Sequence, residues 1–183
     1  MKIKIIAIAF LINGCSVFGS MKGLETPQYE IKDINNNIEV RQYKPMIVAE
    51  TKIYKNQNKA MNKGFKILAN YIFSNDIKMT SPVMQQSDGN KWIIQFMMPK
   101  KYTIKNLPKS DNIQIKKIDA SKYLVIQFSG SSNMKNMINH KNKLLKYVQK
   151  NNISIIGYPI YNYYNPPWTI PSAKRNEVMI KIK

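Results

Sequence analysis

The sequence predicts an α+β fold in which one strand–helix–strand–strand unit occurs twice. Segments that alternate apolar and polar residues, as half-buried strands do, are interrupted by two amphipathic helical stretches. The same order of elements returns about 75 residues later, which is typical of an internal repeat. Ile113–Ile118 then repeats the apolar spacing of Ile38–Tyr43. Two such units, expected over 28–99 and 113–183, predict one domain with a barrel-like sheet and both helices packed outside it.

The elements of the first unit follow from its apolar spacing. Residues 38–53 alternate on both sides of Pro45, which predicts two strands or one bent strand. Apolar residues then recur every three or four positions, which predicts a helix over 59–73. A short strand over 79–84 and a regular strand over 92–98, joined by a polar Gly-containing turn, complete the unit.

The second unit repeats this order. Alternating segments at 113–118 and 123–128 predict strands, and a second amphipathic stretch over 134–148 predicts a helix. Residues 153–164 and 178–182 predict the last two strands. Two units of this kind can join their sheets and enclose a groove at the seam between them, where a ligand could lie.

The N-terminus has the layout of a secretory signal. A short positive start at 1–4 precedes an apolar run at 5–12, which is too short to span a bilayer. Ile12–Cys15 resembles the lipobox of bacterial lipoproteins. We therefore expect a signal peptide at 1–14 and a lipid on Cys15, followed by a flexible tether to residue 27. The alternatives are an ordinary signal peptide and an N-terminal strand with a buried cysteine.

Export and charge together bear on the partners of the chain. Ser16 follows the cysteine, and such a non-Asp residue favours the outer membrane, so we expect anchoring at its periplasmic face. The net charge is +19, yet only Arg41 and Arg175 are arginines, whose fork nucleic-acid readers favour. Diffuse surface charge is therefore preferred to a phosphate-binding groove, and nucleic acid is not expected as a partner. The lysines could instead touch anionic lipid head groups.

Several short segments occur in an order that resembles one known family. They are Glu39–Tyr43, Gly64–Phe65, Tyr71–Phe73, Lys78–Val83, Met98–Pro99, Phe128–Gly130, Tyr164–Trp168 and Arg175–Val178. The chain is similar to the SOUL haem-binding protein family over about residues 26–183. This resemblance implies a duplicated βαββ fold and the binding of haem or another porphyrin, with no general catalytic activity.

The resemblance also implies a ligand site on the first helix and on the loop before the last strand. On this sequence the apolar wall would be formed by Met61, Phe65, Leu68 and Ala69. Lys66 would pair with a propionate, and Trp168 would close over the porphyrin plate. The alternative is that Met61, Phe65 and Leu68 fill the core beneath the helix.

No familiar catalytic or metal-binding constellation is visible. His140 lies off the apolar stripe of its helix, which predicts a solvated surface residue rather than an iron ligand. One histidine and one lipidated cysteine cannot form a zinc site. Tyrosines in the Tyr158–Tyr164 segment could offer a phenolate to ferric iron, although strand packing is the preferred interpretation. We therefore expect no catalytic residue, no metal site of its own and no enzymatic activity.

Arg41 and Arg175 are predicted to pair with carboxylates inside the fold, with Glu39 or Glu177 as partners. Two other functions remain open. One is an envelope lipoprotein that acts through protein interactions, in which side chains fill the groove. The other is a general pocket for apolar molecules or cations, which would need Glu50 or Glu177 to be buried as an acid.

Overall fold

The computed structural model describes residues 23–54 and 56–183, and this part contains nine strands and two α-helices. In chain order the elements are β1 (Tyr29–Asn35), β2 (Ile38–Tyr43), β3 (Met46–Ile53), α1 (Gln57–Ser74), β4 (Val83–Asp88), β5 (Lys91–Met97), β6 (Gln114–Ile118), β7 (Ser121–Phe128), α2 (Met134–Lys150), β8 (Ile155–Tyr163) and β9 (Asn176–Ile182). Single 3₁₀ turns follow β5 and β8, at Ile104–Asn106 and Pro171–Ala173.

All nine strands form one antiparallel sheet in the order β1-β2-β7-β9-β8-β4-β5-β3-β6. The predicted α+β class with two helices is confirmed. The expected barrel-like sheet is corrected in one respect: β1 and β6 are its two edges and do not pair with each other, so the sheet is open. Three neighbouring pairs, β1–β2, β4–β5 and β8–β9, are consecutive in the chain, and a direct connection makes them antiparallel.

The strand order is the same when read from either end with the two units exchanged. If β2 is exchanged with β6, β3 with β7, β4 with β8 and β5 with β9, the order from β2 to β6 becomes the same order read in the opposite direction. The pair β4–β8 then lies at the centre. Two units related by a two-fold axis would give this order, while the duplication itself stays a prediction.

Both helices pack on the same face of the sheet, over separate cores. α1 covers β3 and β5, and α2 covers β7 and β9. The central strands β4 and β8 lie between these two pairs, so a seam over β4 and β8 separates the helices. Trp92 packs against both cores, and its ring lies 6.4 Å from that of Tyr161. Buried Gln85 also lies in the floor of this seam.

The face opposite the helices is buried as well. Val48, Met84, Val125 and Met179 lie on it and are almost fully inaccessible. The twist of the strands and residues of the β8–β9 loop, such as Tyr164, which bonds to Glu177, shield this face. The fold therefore has a second interior on the side away from the helices.

Two elements differ from the sequence-based expectation. β1 was not predicted, because most of its side chains are exposed and it is an edge strand that pairs with β2 alone. The short strand expected over 79–84 begins only at Val83. Pro82 has no N–H to donate to a ladder, and the hydroxyl of Thr80 instead donates to the carbonyl of Met97 at 2.6 Å.

The N-terminal segment of the described part is bonded to the domain. Glu25 forms an isolated bridge with Thr80, and its carboxylate accepts from the N–H of Lys100 at 2.9 Å. The packed structure therefore starts within the expected tether of 15–27. Cys15 and the predicted signal peptide lie outside the described residues. Within the described ranges, neither helix is long and apolar enough to cross a membrane.

Gly64 allows α1 to approach β5, and Gly64→Ala is expected to destabilise the protein by about 1 kcal/mol. A Cβ there would lie 2.8 Å from two side-chain carbons of buried Ile94. Overpacking costs about 1–3 kcal/mol, and the higher helix propensity of alanine offsets roughly 0.5–1 kcal/mol of this. Urea denaturation measures the difference.

The steric origin of this effect has its own control. In an Ile94→Ala background the two closest contacts disappear and only the Cβ of residue 94 remains, 3.1 Å away, so Gly64→Ala should then cost clearly less than in the unaltered chain. Additive losses in the double variant would contradict the steric explanation.

Candidate ligand-binding site on the first helix

Helix α1 is fixed at both ends by asparagine side chains. The side chain of Asn56 accepts from the N–H of Lys59 at 3.2 Å, and that of Asn75 donates to the carbonyl of Tyr71 at 2.7 Å. Ser, Thr, Asp and Asn are favoured at N-caps because they satisfy a free N–H. The helix is therefore held as a rigid element, which a preformed site requires.

The four residues of the predicted apolar wall fall into two groups. Leu68 and Ala69 are buried in the core beneath the helix. Met61 is half-buried, and Phe65 is 39% exposed, with its ring edge-on to Phe96 at 5.4 Å. In this arrangement Met61 and Phe65 offer surface to a ligand, and the other two support the helix from below. Their ligand contacts stay a prediction.

Lys66 is exposed and belongs to a cationic surface on the outer side of α1. It lines a concavity of about 430 Å³ together with Lys59, Lys63 and Ile67. A second concavity of about 500 Å³ shares Ile67 and continues toward the turn at 109–113. Ligand sites commonly occupy about 300–1,000 Å³. Sequence reasoning missed Lys59, Lys63 and Ile67, because nothing in a helical stripe indicates where a distant turn completes a hollow.

The sixth predicted residue, Trp168, is 78% exposed in the loop between β8 and β9. That loop is held in shape by its own polar contacts. The ammonium of Lys174 donates to the carbonyl of Pro167 at 3.0 Å, and the N–H of Arg175 donates to the side chain of Asn165 at 2.7 Å. The large ring of Trp168 thus lies on an ordered loop and does not pack in the core.

A buried charge cluster lies on the face opposite the helices. Oε1 of Glu177 accepts from the guanidinium of Arg41 at 2.9 Å and from two nitrogens of Arg175 at 2.7 and 3.0 Å. Its other oxygen accepts from the hydroxyl of Tyr164 at 2.9 Å. Arg41 also pairs with Glu39 at 2.6 Å. The predicted partners of both arginines are thus the observed ones.

The electrostatics of this cluster keep both arginines charged. Burial, the largest single influence, lowers the pKa of Arg41, but Glu177, Tyr43 and Glu39 together more than offset it, so that the pKa is raised. Burial, and then the carboxylate of Glu177, raise the pKa of Tyr164 well above its usual range. The cluster is therefore a self-neutralising structural unit, and its guanidiniums are committed within the fold.

Glu50 is the second buried carboxylate on that face. It accepts from the ammonium of Lys116 at 2.7 Å and from the side-chain amide of Gln95 at 2.8 Å, and Lys52 lies 3.7 Å away. Both acids that a pocket for cations would need are thus buried, as that alternative required. Each is already paired with cations of the chain, which leaves no uncompensated negative charge for a cationic ligand.

His140 is less exposed than predicted. Its ring stacks on Phe128 with centroids 3.6 Å apart, and its Nδ1 lies 2.9 Å from the carbonyl of Asn136. The expectation of a solvated residue is corrected to a half-buried one that packs on the sheet. Among residues 23–54 and 56–183, no three metal-binding side chains cluster.

The tyrosines of β8 are poor candidates for a phenolate ligand. Burial raises the pKa of Tyr161 and of Tyr163, so both resist ionisation. Tyr163 donates to Oε1 of Gln85 at 3.3 Å, which ties it to the floor of the seam. The preferred interpretation of strand packing agrees with this placement. Tyr158, in contrast, is exposed.

Several solved structures share this fold at low sequence identity. The C-terminal domain of EcmrR matches with a TM-score of 0.66 at 11% identity, over 85% of this chain and 98% of that one. The chain spans 57% of the EcmrR chain in its DNA complex. SAV2435 bound to tetraphenylphosphonium matches at 0.54 and 11% identity, over 85% and 94%. A hydrolase from Listeria innocua matches at 0.56 and 7% identity, over 83% and 94%.

At these identities the structures show the fold alone, and no curated protein sequence matches significantly. The family itself comes from the sequence. The chain belongs to the SOUL heme-binding protein family, which matches residues 24–181. This range includes both helices and all strands apart from the last residue of β9, so the expected resemblance is confirmed.

Proposed function

We propose that this protein binds haem or a related porphyrin without catalysing a reaction, and that a lipid on Cys15 holds it at the periplasmic face of a bacterial outer membrane. The observation that carries the porphyrin is membership of the SOUL heme-binding protein family over residues 24–181. The geometry of α1 supports it. A porphyrin is a flat apolar plate with two carboxylates, and it needs an apolar wall beside cations.

On α1 these two requirements meet at neighbouring positions. Met61 and Phe65 lie one helical turn apart and form the partly exposed apolar edge. Lys66 is displaced by about 100° around the helix axis, so that its long side chain can reach a propionate at the rim of a plate packed on Phe65. Leu68 and Ala69 would support the wall from the core. Trp168 would cover the outer face of the plate.

The absence of enzymatic activity is part of the proposal. Each carboxylate of the two buried clusters is neutralised by a lysine or an arginine of the chain itself. A general acid or base must be able to exchange a proton with substrate, and these groups lie on the face that the strands bury. Two structural neighbours are called hydrolases, but at 7% and 8% identity their likeness to this chain extends to the fold alone.

Titration of hemin into the full-length protein tests the porphyrin directly. Binding should sharpen and shift the Soret band and quench tryptophan fluorescence, since the exposed Trp168 would lie against the plate. An unchanged Soret band with unquenched fluorescence at micromolar hemin would favour the interaction lipoprotein instead. The filling of the seam between α1 and α2 by side chains such as Gln57 and Gln85 would then support that alternative.

The anchor is tested separately. Cys15→Ser should move the protein from the membrane fraction to the soluble periplasm without altering hemin binding. Ser16→Ala is the matched control, because it changes the neighbouring small residue and leaves the acylated thiol. A Cys15→Ser chain that stays in the outer membrane would contradict lipidation as the anchor.

A further inference from the structure

The two helices present a layer of unpaired lysines. α1 and α2 together carry eight lysines and no acidic residue. Among the described residues, every ion-paired cation lies on a strand or next to one, and none of the eight belongs to an ion pair. The eight, which we call the helix lysines, are Lys59, Lys63, Lys66, Lys135, Lys141, Lys143, Lys146 and Lys150.

Helix stability does not account for this arrangement. The first turn of α1 contains Lys59 and no acid, and its last turn contains no base, which is the reverse of what the helix dipole favours. Lys59 with Lys63, and Lys146 with Lys150, are like charges four residues apart on one helix, an arrangement that destabilises a helix. The layer is therefore a repulsive surface that an external anion would relieve.

The rest of the sheet sharpens the contrast. Several acidic residues on or beside the strands pair with neighbouring cations, as Asp88 does with Lys91 and Asp119 with Lys117. Asp76 and Asp111 lie near the C-terminal end of α1, and both are exposed. Lys59 and Lys63 lie toward its N-terminal end, and Lys66 lies near its middle. Neither helix carries an acid that could neutralise its own lysines.

We propose that the helix lysines, apart from Lys66 with its proposed propionate contact, form a docking face for the anionic head groups of a membrane. A lipid surface needs many point charges without fixed geometry, and lysine supplies these. A nucleic-acid reader favours the planar fork of arginine, but Arg41 and Arg175 are committed to Glu177. The inference goes beyond porphyrin binding. It rests on the proposed anchoring in one respect, because the anchor would place the helices near a membrane.

Docking would fix the orientation of a domain that a tether alone leaves free. The outer side of α1, with its two concavities, would then face the head groups. The sheet edges β1 and β6 and the exposed Tyr158 would stay accessible from the periplasm.

Amine acylation followed by mass spectrometry tests this on the full-length chain. The chain is mixed with phosphatidylcholine vesicles, or with equimolar phosphatidylcholine and phosphatidylglycerol. On the mixed vesicles we expect the helix lysines to lose most of their reactivity, and to regain it as salt is added. Lys78, Lys105 and Lys122, which are exposed outside the helices, should react equally on both.

Charge reversal on α2 provides the matched pair of variants. Lys135→Glu, Lys143→Glu and Lys146→Glu combined should abolish the protection of the remaining helix lysines. Lys78→Glu, Lys105→Glu and Lys122→Glu combined change the net charge equally and should preserve it. All six substituted side chains are exposed, so an unchanged urea midpoint verifies the fold of both variants independently of hemin binding.

The outcomes separate docking from anchoring. A chain that floats with both vesicle types but shows equal lysine reactivity on both would overturn the docking face and leave the anchor intact. A chain that floats only with the mixed vesicles, with protected helix lysines, supports docking and contradicts the anchor. Protection by duplex DNA at a salt concentration where vesicles give none would overturn the proposal in favour of nucleic acid.

Discussion

Glu177→Gln is expected to destabilise the protein by about 3 kcal/mol, because it removes the negative charge on which both arginines depend. Glu177 is fully buried and accepts from Arg41, Arg175 and Tyr164. Without it, the buried guanidinium of Arg41 keeps Glu39 as its one carboxylate partner, beside neutral contacts with Tyr43 and Gln127. Removal of one partner from a buried pair costs about 3–5 kcal/mol, and the remaining Glu39 places this case at the lower end.

Urea denaturation of the full-length chain measures this loss, and Glu50→Gln is its control. Glu50 is equally buried, but its partners Lys116 and Lys52 have side chains that are 36% and 40% exposed. These lysines can turn into water when the charge is removed, so we expect a loss of only about 1 kcal/mol. Equal losses for the two substitutions would show that the arginine cluster has no special role in stability.

Leu68→Ala has the second large expected effect, a loss of about 2–5 kcal/mol. Leu68 is fully buried beneath α1, in the core that the helix forms with β3 and β5. Removal of its side chain leaves a cavity that the rigid core fills only in part. Thermal or urea unfolding measures the effect.

Phe65→Ala is the comparison. Its ring is partly exposed, so truncation removes less buried apolar surface and should destabilise the protein less. Its contact with Phe96 and its buried edge account for about 1–2 kcal/mol. If Leu68→Ala proved the milder of the two, the placement of Leu68 under the helix would be contradicted.

Periodicity predicted most of the fold because the buried faces dominate the pattern. The helix expected over 59–73 is observed as Gln57–Ser74, and the strand pair expected around Pro45 is observed as β2 and β3. β1 escaped prediction because an exposed edge strand has no apolar alternation to detect. The open edges of the sheet were not predicted either, because they depend on which strands pair across long stretches of sequence.

The candidate site was only partly accessible to sequence reasoning. A stripe at spacings of three and four cannot separate Phe65, at the edge of the buried face, from Leu68 at its centre. The pairing of both arginines with Glu177 could be anticipated, because arginine is rare in this lysine-rich chain and an internal carboxylate suits its fork. The lysine layer became visible only when both helices were found on one face of the sheet.

The claim that the porphyrin binds on α1 is tested most directly by comparing the hemin affinity of Phe65→Ser with that of Phe73→Ser. Both substitutions remove an exposed phenylalanine from the same helix, and Phe73 lies outside the proposed site. Loss of the apolar wall should weaken binding about tenfold in Phe65→Ser, equivalent to about 1.4 kcal/mol, while Phe73→Ser should bind like the unaltered chain. Equal affinity of all three proteins, read from the Soret band, would contradict a porphyrin site on α1.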